Sequence, residues 1–180
     1  VGDRVMARGV ACHAEAALVD VEALMPSPVD LSDVEAAAIP NVFVTAHDAI
    51  VTVAGVTAAD KVLITAGSSG VGTAAIQIVK HLGATAIATT RSPAKAAALV
   101  DLGADHVADT SSPDWLSAMV DQIGPVTCVI DQVGGDLFPG LLSALEVLGR
   151  YVSVGRNAGS ASTIDLDLVA RNRLTLVGVT

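Results

Sequence analysis

Three glycines, Gly67, Gly70 and Gly72, lie within six residues, directly after an apolar run and before an apolar helical stretch. Residues 70–75 fit the pattern G-x-G-x-x-G/A in the strand–turn–helix context that this pattern requires. In such a turn a pyrophosphate approaches backbone N–H groups closely, and the helix start adds partial positive charge. A side chain at Gly70 or Gly72 would block that approach. An ordinary tight turn would explain the glycines alone, but their context favours a nucleotide-phosphate site.

Other residues that could do chemistry lack the partners they would need in the sequence. Ser68 and Ser69 lie in the glycine-rich turn, but no G-x-S-x-G pattern marks either as a nucleophile. Their hydroxyls are better suited to donate hydrogen bonds to phosphate. Cys12 and His13 are adjacent without a second cluster of Cys and His, so no metal site is expected. Asp131 closes a predicted strand, where it could cap the next turn or act as an acid or base, so the catalytic residues stay unknown.

The residues after the second predicted strand indicate which dinucleotide is bound. An NAD-binding domain usually has Asp or Glu about twenty residues past the glycines, where the carboxylate holds the ribose 2′-hydroxyl. Here that position is Thr90, and no acid lies within residues 85–95. Arg91, Ser92 and Lys95 instead offer two cations and a hydroxyl, which suit a 2′-phosphate. This pattern predicts NADP(H), although Ser92 could simply cap a helix while both cations are solvated.

Charge and composition exclude several classes of function. The chain of 180 residues has a net charge of −9, which argues against binding nucleic acid or an anionic membrane surface. Hydrophobic residues make up 52% and aromatic residues only 2%, so the core must consist of aliphatic side chains, as in parallel α/β packing. The two cysteines form no disulfide framework and fit a reducing compartment, so we expect a cytoplasmic protein.

Strands and helices alternate from the glycine-rich turn onward. A segment that begins Leu-Gly-Ala and ends Ser-Pro occurs twice, displaced by 20 residues, as successive βα units would produce. Strands are predicted at 62–64, 86–89, 106–108, 126–130, 151–154 and 174–179. Helices are predicted at 73–82, 93–102, 113–122, 137–148 and 167–172. These elements imply an α/β fold with a doubly wound, parallel, six-stranded Rossmann sheet of strand order 3-2-1-4-5-6.

The first part of the chain cannot form a core by itself. Residues 1–7 are predicted to form a turn that leads into a short strand, and a strand-rich stretch follows at 11–21. We therefore expect residues 1–30 to be the last part of a β-domain and residues 31–180 to form the nucleotide-binding domain.

Two helices are predicted before the glycine-rich turn. Ser32 and Glu35 have the spacing of a capping box, in which each side chain accepts a hydrogen bond from the backbone N–H of the other residue. Pro40 lacks a backbone N–H and is expected to end the first helix. The second helix is predicted at 44–54 and is closed by Gly55.

A resemblance to a known family rests on five segments: GDRVMA, EAAAIPNVFVTAHDAI, DKVLITAGSSGVGTAAIQIVKHLGA, LGADHVAD and VIDQVGG. From Gly2 to Thr180 the chain resembles the zinc-independent medium-chain dehydrogenase/reductase family, specifically its NADPH:quinone oxidoreductase branch. The resemblance implies hydride transfer from NADPH to a quinone or an α,β-unsaturated carbonyl, without a metal ion. Family members are longer at both ends. The chain would therefore lack part of a GroES-like β-domain and a C-terminal segment, and would carry only part of the acceptor pocket.

By motif position, the resemblance assigns residues to three parts of the cofactor. The pyrophosphate would be held by Gly67, Ser69, Gly70, Val71 and Gly72. The nicotinamide would be bordered by Thr45, Val133, Gly134 and Gly155. The adenosine phosphate would contact Thr90, Arg91, Ser92 and Lys95. One departure lies near the adenosine, where many relatives have an aromatic residue and this chain has Thr110.

The sequence leaves alternatives to quinone reduction open. An enoyl-thioester reductase shares the same motifs. A nucleotide-binding module without catalysis, or a nucleotide-sensing protein that binds a partner, would fit the missing flanks. The last predicted strand, Leu174–Val179, is short of charges and would be an uncovered edge. We expect it to pair with the same strand of a second molecule, as in the relatives' dimers, giving a homodimer.

Overall fold

The computed structural model describes residues 2–179. Val1 and Thr180, the first and last residues of the predicted domains, lie outside the described residues. The described chain divides into two compact units, residues 2–44 and residues 45–179. The predicted boundary after residue 30 divides the chain into a part of a β-domain and a nucleotide-binding domain, and this division stays a prediction.

The N-terminal unit contains one antiparallel pair of short strands. β1, Val5–Ala7, lies beside β2, Leu24–Pro26, with Met6 opposite Met25. The short strand predicted at the start of the chain is thereby confirmed. The strand-rich stretch predicted at 11–21 is wrong, because turns and irregular backbone fill most of it. This stretch is rich in alanine, which has a weak preference for strands.

One helical stretch replaces the two helices predicted before the glycine-rich turn. α1, Asp33–His47, continues into a π-helical segment, Asp48–Val53, so the prediction that Pro40 ends a helix is wrong. Pro40 is buried, and packing outweighs the loss of one backbone hydrogen bond. The predicted capping box is confirmed, since the N–H of Ser32 donates to Oε2 of Glu35 at 2.9 Å. By length and composition alone this helical stretch could span a membrane, a property that core helices of globular proteins share.

Strands and helices alternate through the second unit. The strands are β3 (Lys61–Ile64), β4 (Thr85–Thr90), β5 (His106–Asp109), β6 (Val126–Asp131), β7 (Leu145–Ser153) and β8 (Thr175–Gly178). The helices are α2 (Gly70–His81), α3 (Ala96–Asp101), α4 (Trp115–Ile123), α5 (Phe138–Ser143) and α6 (Leu166–Asn172). All six strands are parallel and lie in the order β5-β4-β3-β6-β7-β8. Counted from β3 this is 3-2-1-4-5-6, so the predicted fold class and strand order are confirmed.

Side chains of the central strands form an apolar core with two of the helices. Leu63 of β3, Ile87 of β4 and Val129 of β6 are fully buried. Trp115 of α4 and Phe138 of α5 pack against the cluster to which these three buried residues belong. A parallel strand covered by helices has no polar side, which explains the unbroken apolar runs in the sequence.

β7 begins earlier than the sequence predicts. The helix predicted at 137–148 ends at Ser143, and Leu145 already pairs with Val126 of β6. The register between the two strands shifts after Val126, and Leu148 has a positive φ of 68°. Pairing with a strand that is distant in the sequence therefore overrides the helical spacing of the leucines.

A partly buried ion pair lies at the amino ends of the central strands. Asp60, just before β3, accepts hydrogen bonds from the N–H of Thr57 at 2.7 Å and from the hydroxyl of Thr127 at 2.7 Å. It also pairs with Arg150 of β7. Burial alone would raise the pKa of Asp60, but the hydrogen bonds and the Arg150 charge outweigh burial and lower the pKa. This network ties β3, β6 and β7 together at the edge opposite the glycine-rich turn.

Candidate functional site

The glycine-rich turn connects β3 to α2 at the carboxyl end of the sheet. The N–H of Ser69 donates to the carbonyl of Ala66 at 2.9 Å, and the N–H of Gly72 donates to Oγ of Ser69 at 3.0 Å. Ser69 is therefore the N-cap of α2. Among the described residues, neither Gly70 nor Val71 has a hydrogen-bond partner for its backbone N–H. Two N–H groups in the first turn of this helix are thus available to a phosphate.

Gly72 is required by close backbone packing within the turn, and Gly67 by close packing of the turn against β4. A Cβ on Gly72 would lie 2.4 Å from the carbonyl oxygen of Ala66. A Cβ on Gly67 would lie 2.8 Å from the Cβ of Ala88. Both distances are too short for nonbonded contacts, so a side chain at either position would displace the turn. The approach of helix to turn is thus a reason for Gly72 that is independent of any pyrophosphate.

A cavity of about 590 Å³ opens beside the glycine-rich turn. Its lining includes seven of the residues that the sequence predicts to bind cofactor: Ser68, Ser69, Thr90, Arg91, Ser92, Lys95 and Val133. No carboxylate lines this cavity among the described residues, and both of its cations are exposed. The charge of the lining therefore favours an anionic ligand.

The remaining predicted residues are spread over other parts of the unit. Gly134 lines a second cavity, of about 320 Å³. The other six predicted residues line neither of these two cavities: Thr45, Gly67, Gly70, Val71, Gly72 and Gly155. A Cβ on Gly155 would lie 2.5 Å from the carbonyl oxygen of Gln132, and Gly134 has a positive φ of 66°. Close packing of two loops thus accounts for both glycines, and their predicted place beside the nicotinamide stays a prediction.

The cavity also contains an aromatic residue that the sequence did not assign to it. Thr110 lines the cavity together with Trp115, the only tryptophan of the chain. Trp115 also packs against the apolar core. Its spacing within α4 is that of a core residue, so no signal in the sequence distinguished the two roles.

Asp131, at the end of β6, holds the turn that follows it. Its side chain is fully buried, and one carboxyl oxygen accepts hydrogen bonds from the hydroxyl of Thr65 at 2.7 Å and the N–H of Val133 at 2.9 Å. The other oxygen accepts hydrogen bonds from the N–H of Gly134 at 3.0 Å and the hydroxyl of Tyr151. Burial, and then the hydrogen bond to Asp131, raise the pKa of Tyr151. With both oxygens occupied and no exposure, Asp131 has no access to a substrate.

The family becomes clear when the chain is compared with known proteins. The profile of the family described as zinc-binding dehydrogenase matches residues 70–180, more than half of the chain. The chain belongs to the medium-chain dehydrogenase/reductase family. It is 38% identical over 156 residues to the spectinabilin polyketide synthase system protein NorB of Streptomyces orinoci, a match that covers 86% of this chain and 7% of that protein.

Two solved structures show the same fold over most of this medium-chain dehydrogenase/reductase chain. The quinone oxidoreductase from Thermus thermophilus, solved also in complex with NADPH, is 30% identical with a TM-score of 0.80, covering 88% of this chain and 50% of that one. The CurK enoyl reductase is 29% identical with a TM-score of 0.78, covering 90% and 48%. The chain thus spans about half the length of the structures it matches and a small part of the curated relatives.

The description of the family names zinc, but the described residues offer no zinc site. No group of three or more His, Cys, Asp or Glu side chains among residues 2–179 could hold a metal ion. Cys12 is exposed and Cys128 is buried. Because the donors do not fit zinc, no step is assigned to a metal in this chain.

Proposed function

We propose that this chain is the cofactor-binding part of a reductase that transfers a hydride from NADPH to an electron-poor carbon–carbon double bond. The observation that carries the proposal is the cavity beside the glycine-rich turn. Two cations and a lining without carboxylates occur there among the described residues, and the two unpaired backbone N–H groups lie in the adjoining glycine-rich turn. Such a set favours a ligand with several phosphate groups.

Two neighbouring parts of the site, the start of α2 and the cavity beside it, suit different phosphates of the cofactor. In the proposal the pyrophosphate accepts hydrogen bonds from the N–H groups of Gly70 and Val71, at the start of α2. The 2′-phosphate binds Arg91, Ser92 and Lys95, which line the same cavity. A guanidinium and an ammonium both favour a phosphate over a hydroxyl, so NADPH is preferred to NADH.

The residues of the chain bind and orient, and the bound nicotinamide supplies the hydride. Thr45, Val133, Gly134 and Gly155 are proposed to border the nicotinamide. The conjugation of the acceptor activates its double bond, so the mechanism requires no metal. We propose water as the proton source, because Asp131, the buried acid at this edge of the sheet, is closed off by its hydrogen bonds.

We propose an enoyl thioester as the acceptor. The polyketide synthase protein that matches 86% of the chain and the CurK enoyl reductase support this choice. The resemblance in the sequence implies a quinone or an α,β-unsaturated carbonyl, with an enoyl thioester as the alternative, and these relatives support the thioester instead. A quinone stays the second candidate, supported by the similarity to the Thermus thermophilus quinone oxidoreductase.

The length of the chain bears on its activity. We propose that the chain binds NADPH but turns over slowly by itself, because the resemblance implies that only part of the acceptor pocket is present. Positioning of two reactants can contribute roughly 7–11 kcal/mol to lowering a barrier, and an unpositioned acceptor loses that contribution. β8 lies at an edge of the sheet, and pairing of this edge in a cytoplasmic homodimer stays a proposal.

Two measurements test the proposed function. Titration of the chain with NADPH and with NADH should give a lower Kd for NADPH, and equal values would contradict the proposed cofactor. Steady-state assays with NADPH should then compare a crotonyl thioester with a benzoquinone. Faster reduction of the thioester supports the enoyl acceptor, and faster reduction of the quinone supports the second candidate. Turnover at rates of about 10 per second, typical of complete enzymes, would contradict the incomplete pocket.

A further inference from the structure

Gln132 connects the glycine-rich turn to the strand beside it. Its side chain is buried at the end of β6, with 5% exposure. Nε2 donates a hydrogen bond to the carbonyl of Thr65, at the end of β3, at 2.7 Å. Oε1 accepts a hydrogen bond from the hydroxyl of Ser69 at 2.7 Å. Both ends of the amide are therefore used within the site.

The hydrogen bond from Ser69 to Gln132 selects the orientation in which Ser69 caps α2. A serine hydroxyl has one proton to donate, and here that proton goes to Oε1 of Gln132. The oxygen of the same hydroxyl accepts the N–H of Gly72 at 3.0 Å. Without Gln132 the hydroxyl would turn to another acceptor, and the cap would be lost for part of the time.

The turn is tied to the strand on its other side as well. Oγ1 of Thr89, in β4, accepts a hydrogen bond from the N–H of Ala66 at 3.1 Å. The carbonyl of Thr89 accepts one from the N–H of Gly67 at 2.7 Å. Gln132 is the matching tie from β6. It lies between β3 and β6. The crossover connections run in opposite directions on the two sides of this point, and in doubly wound sheets ligands bind at such a point.

We infer that Gln132 is a positioning residue for the cofactor. Acting through Ser69, it holds the unpaired N–H groups of Gly70 and Val71 where the pyrophosphate needs them. The inference rests on the proposed function, because it assumes that a dinucleotide binds at this turn. It adds a residue that lies outside the glycine-rich pattern and far from it in the sequence.

The test compares the NADPH Kd of three variants with that of the unmodified chain. Gln132→Leu should weaken NADPH binding about tenfold, which corresponds to 1.4 kcal/mol. Ser69→Ala should weaken it by a similar factor, and the double variant should be no weaker than either single one, since both remove the same cap. Thr127→Val is the control, because Thr127 lies at the opposite end of β6 and bonds Asp60 at 2.7 Å. It should lower the Tm without changing the Kd for NADPH.

A fourth variant, Gln132→Glu, separates positioning from general stability through its pH profile. A protonated glutamic acid can keep both hydrogen bonds of Gln132, whereas an ionised one still accepts the Ser69 hydroxyl but cannot donate to Thr65 and repels the phosphates. Burial raises the pKa of such a group into the accessible range, so NADPH binding by this variant should weaken from about pH 5 to pH 8 relative to the unmodified chain. Thr127→Val should show no such trend.

The outcomes distinguish this inference from the proposed function. If the unmodified chain binds NADPH and Gln132→Leu binds it equally well, the inference is overturned and the proposed function stands. Additive losses for Ser69→Ala and Gln132→Leu, or a Gln132→Glu variant that at pH 5 binds NADPH as weakly as Gln132→Leu, also overturn it. If the unmodified chain binds neither NADPH nor NADH, the proposed function fails and the inference fails with it.

Discussion

Removal of the two cations from the cavity should abolish the preference for NADPH over NADH. Arg91 and Lys95 line the cavity beside Ser92, and both side chains are exposed. The perturbation is the double substitution Arg91→Ala and Lys95→Ala. NADH has a hydroxyl in place of the 2′-phosphate, so it gains little from either cation and serves as the internal reference.

The exposure of both cations sets the size of the expected effect. A hydrogen bond to a charged group is worth about 1.5–3 kcal/mol when it is shielded from water. Exposed ion pairs are worth about 1 kcal/mol or less, because solvent and salt screen them. Two such contacts add to at most about 2 kcal/mol, which is a weakening of NADPH binding of up to roughly 30-fold. NADH binding should change by less than about threefold.

Trp115 provides the assay, because it is the only tryptophan of the chain and lines the same cavity. Quenching of its fluorescence should follow the titration with either dinucleotide. The control is the double variant Lys80→Ala and Arg171→Ala, which also removes two positive charges. Lys80 pairs with Asp105 at 2.8 Å, and neither control residue lines the cavity.

Two results would refute the reasoning about the cations. Equal affinities of the unmodified chain for NADPH and NADH would show that no preference exists to be removed. A similar loss for both dinucleotides in the Arg91→Ala and Lys95→Ala variant would show that the cations act on the common part of the cofactor. The control variant should retain the preference for NADPH, because it has the same net charge as the Arg91→Ala and Lys95→Ala variant but keeps both cations of the cavity.

Three further predictions follow from the geometry. Gly70→Ala should weaken NADPH binding about tenfold in a titration. Gly72→Ala should mainly lower the Tm in calorimetry, because its Cβ would lie 2.4 Å from a backbone oxygen. Equal changes of Kd and of Tm in the two variants would contradict this difference between the glycines. Burial raises the pKa of Cys128 to about 12, so a thiol reagent at neutral pH should modify only Cys12 until the chain unfolds. The lowered pKa of Asp60 stabilises the fold at neutral pH and should lose effect as pH falls through that pKa, so Asp60→Asn should flatten the acid side of a stability-against-pH curve.

Much of the fold could be predicted because its signals are local. The apolar run of β3, the glycines after it and the helical stretch of α2 are adjacent in the sequence, and each constrains the backbone of its own few residues. The capping box at Ser32 and Glu35 is local in the same sense. The strand order then follows from the number of βα units and the right-handedness of their connections.

The errors occur where packing opposes a local preference. Pro40 predicts a helix end, but it is buried within α1, which continues through it. Leu145 has the spacing of a helical residue, but it lies in β7 because Val126 pairs with it. Neither outcome can be read from neighbouring residues, since the deciding partner is remote in the chain.

The sequence by itself determined the residue types at the site: glycines for the turn, hydroxyls, and cations without a nearby acid. Only the tertiary structure decided how they are used. Ser69 is predicted as a phosphate donor, but its proton goes to Gln132, 63 residues away, and its oxygen caps α2. Trp115 reaches the cavity only because the fold packs α4 against the sheet, beside β5. A hydrogen bond between distant residues depends on how strands are placed side by side, and a sequence pattern carries no distance between them.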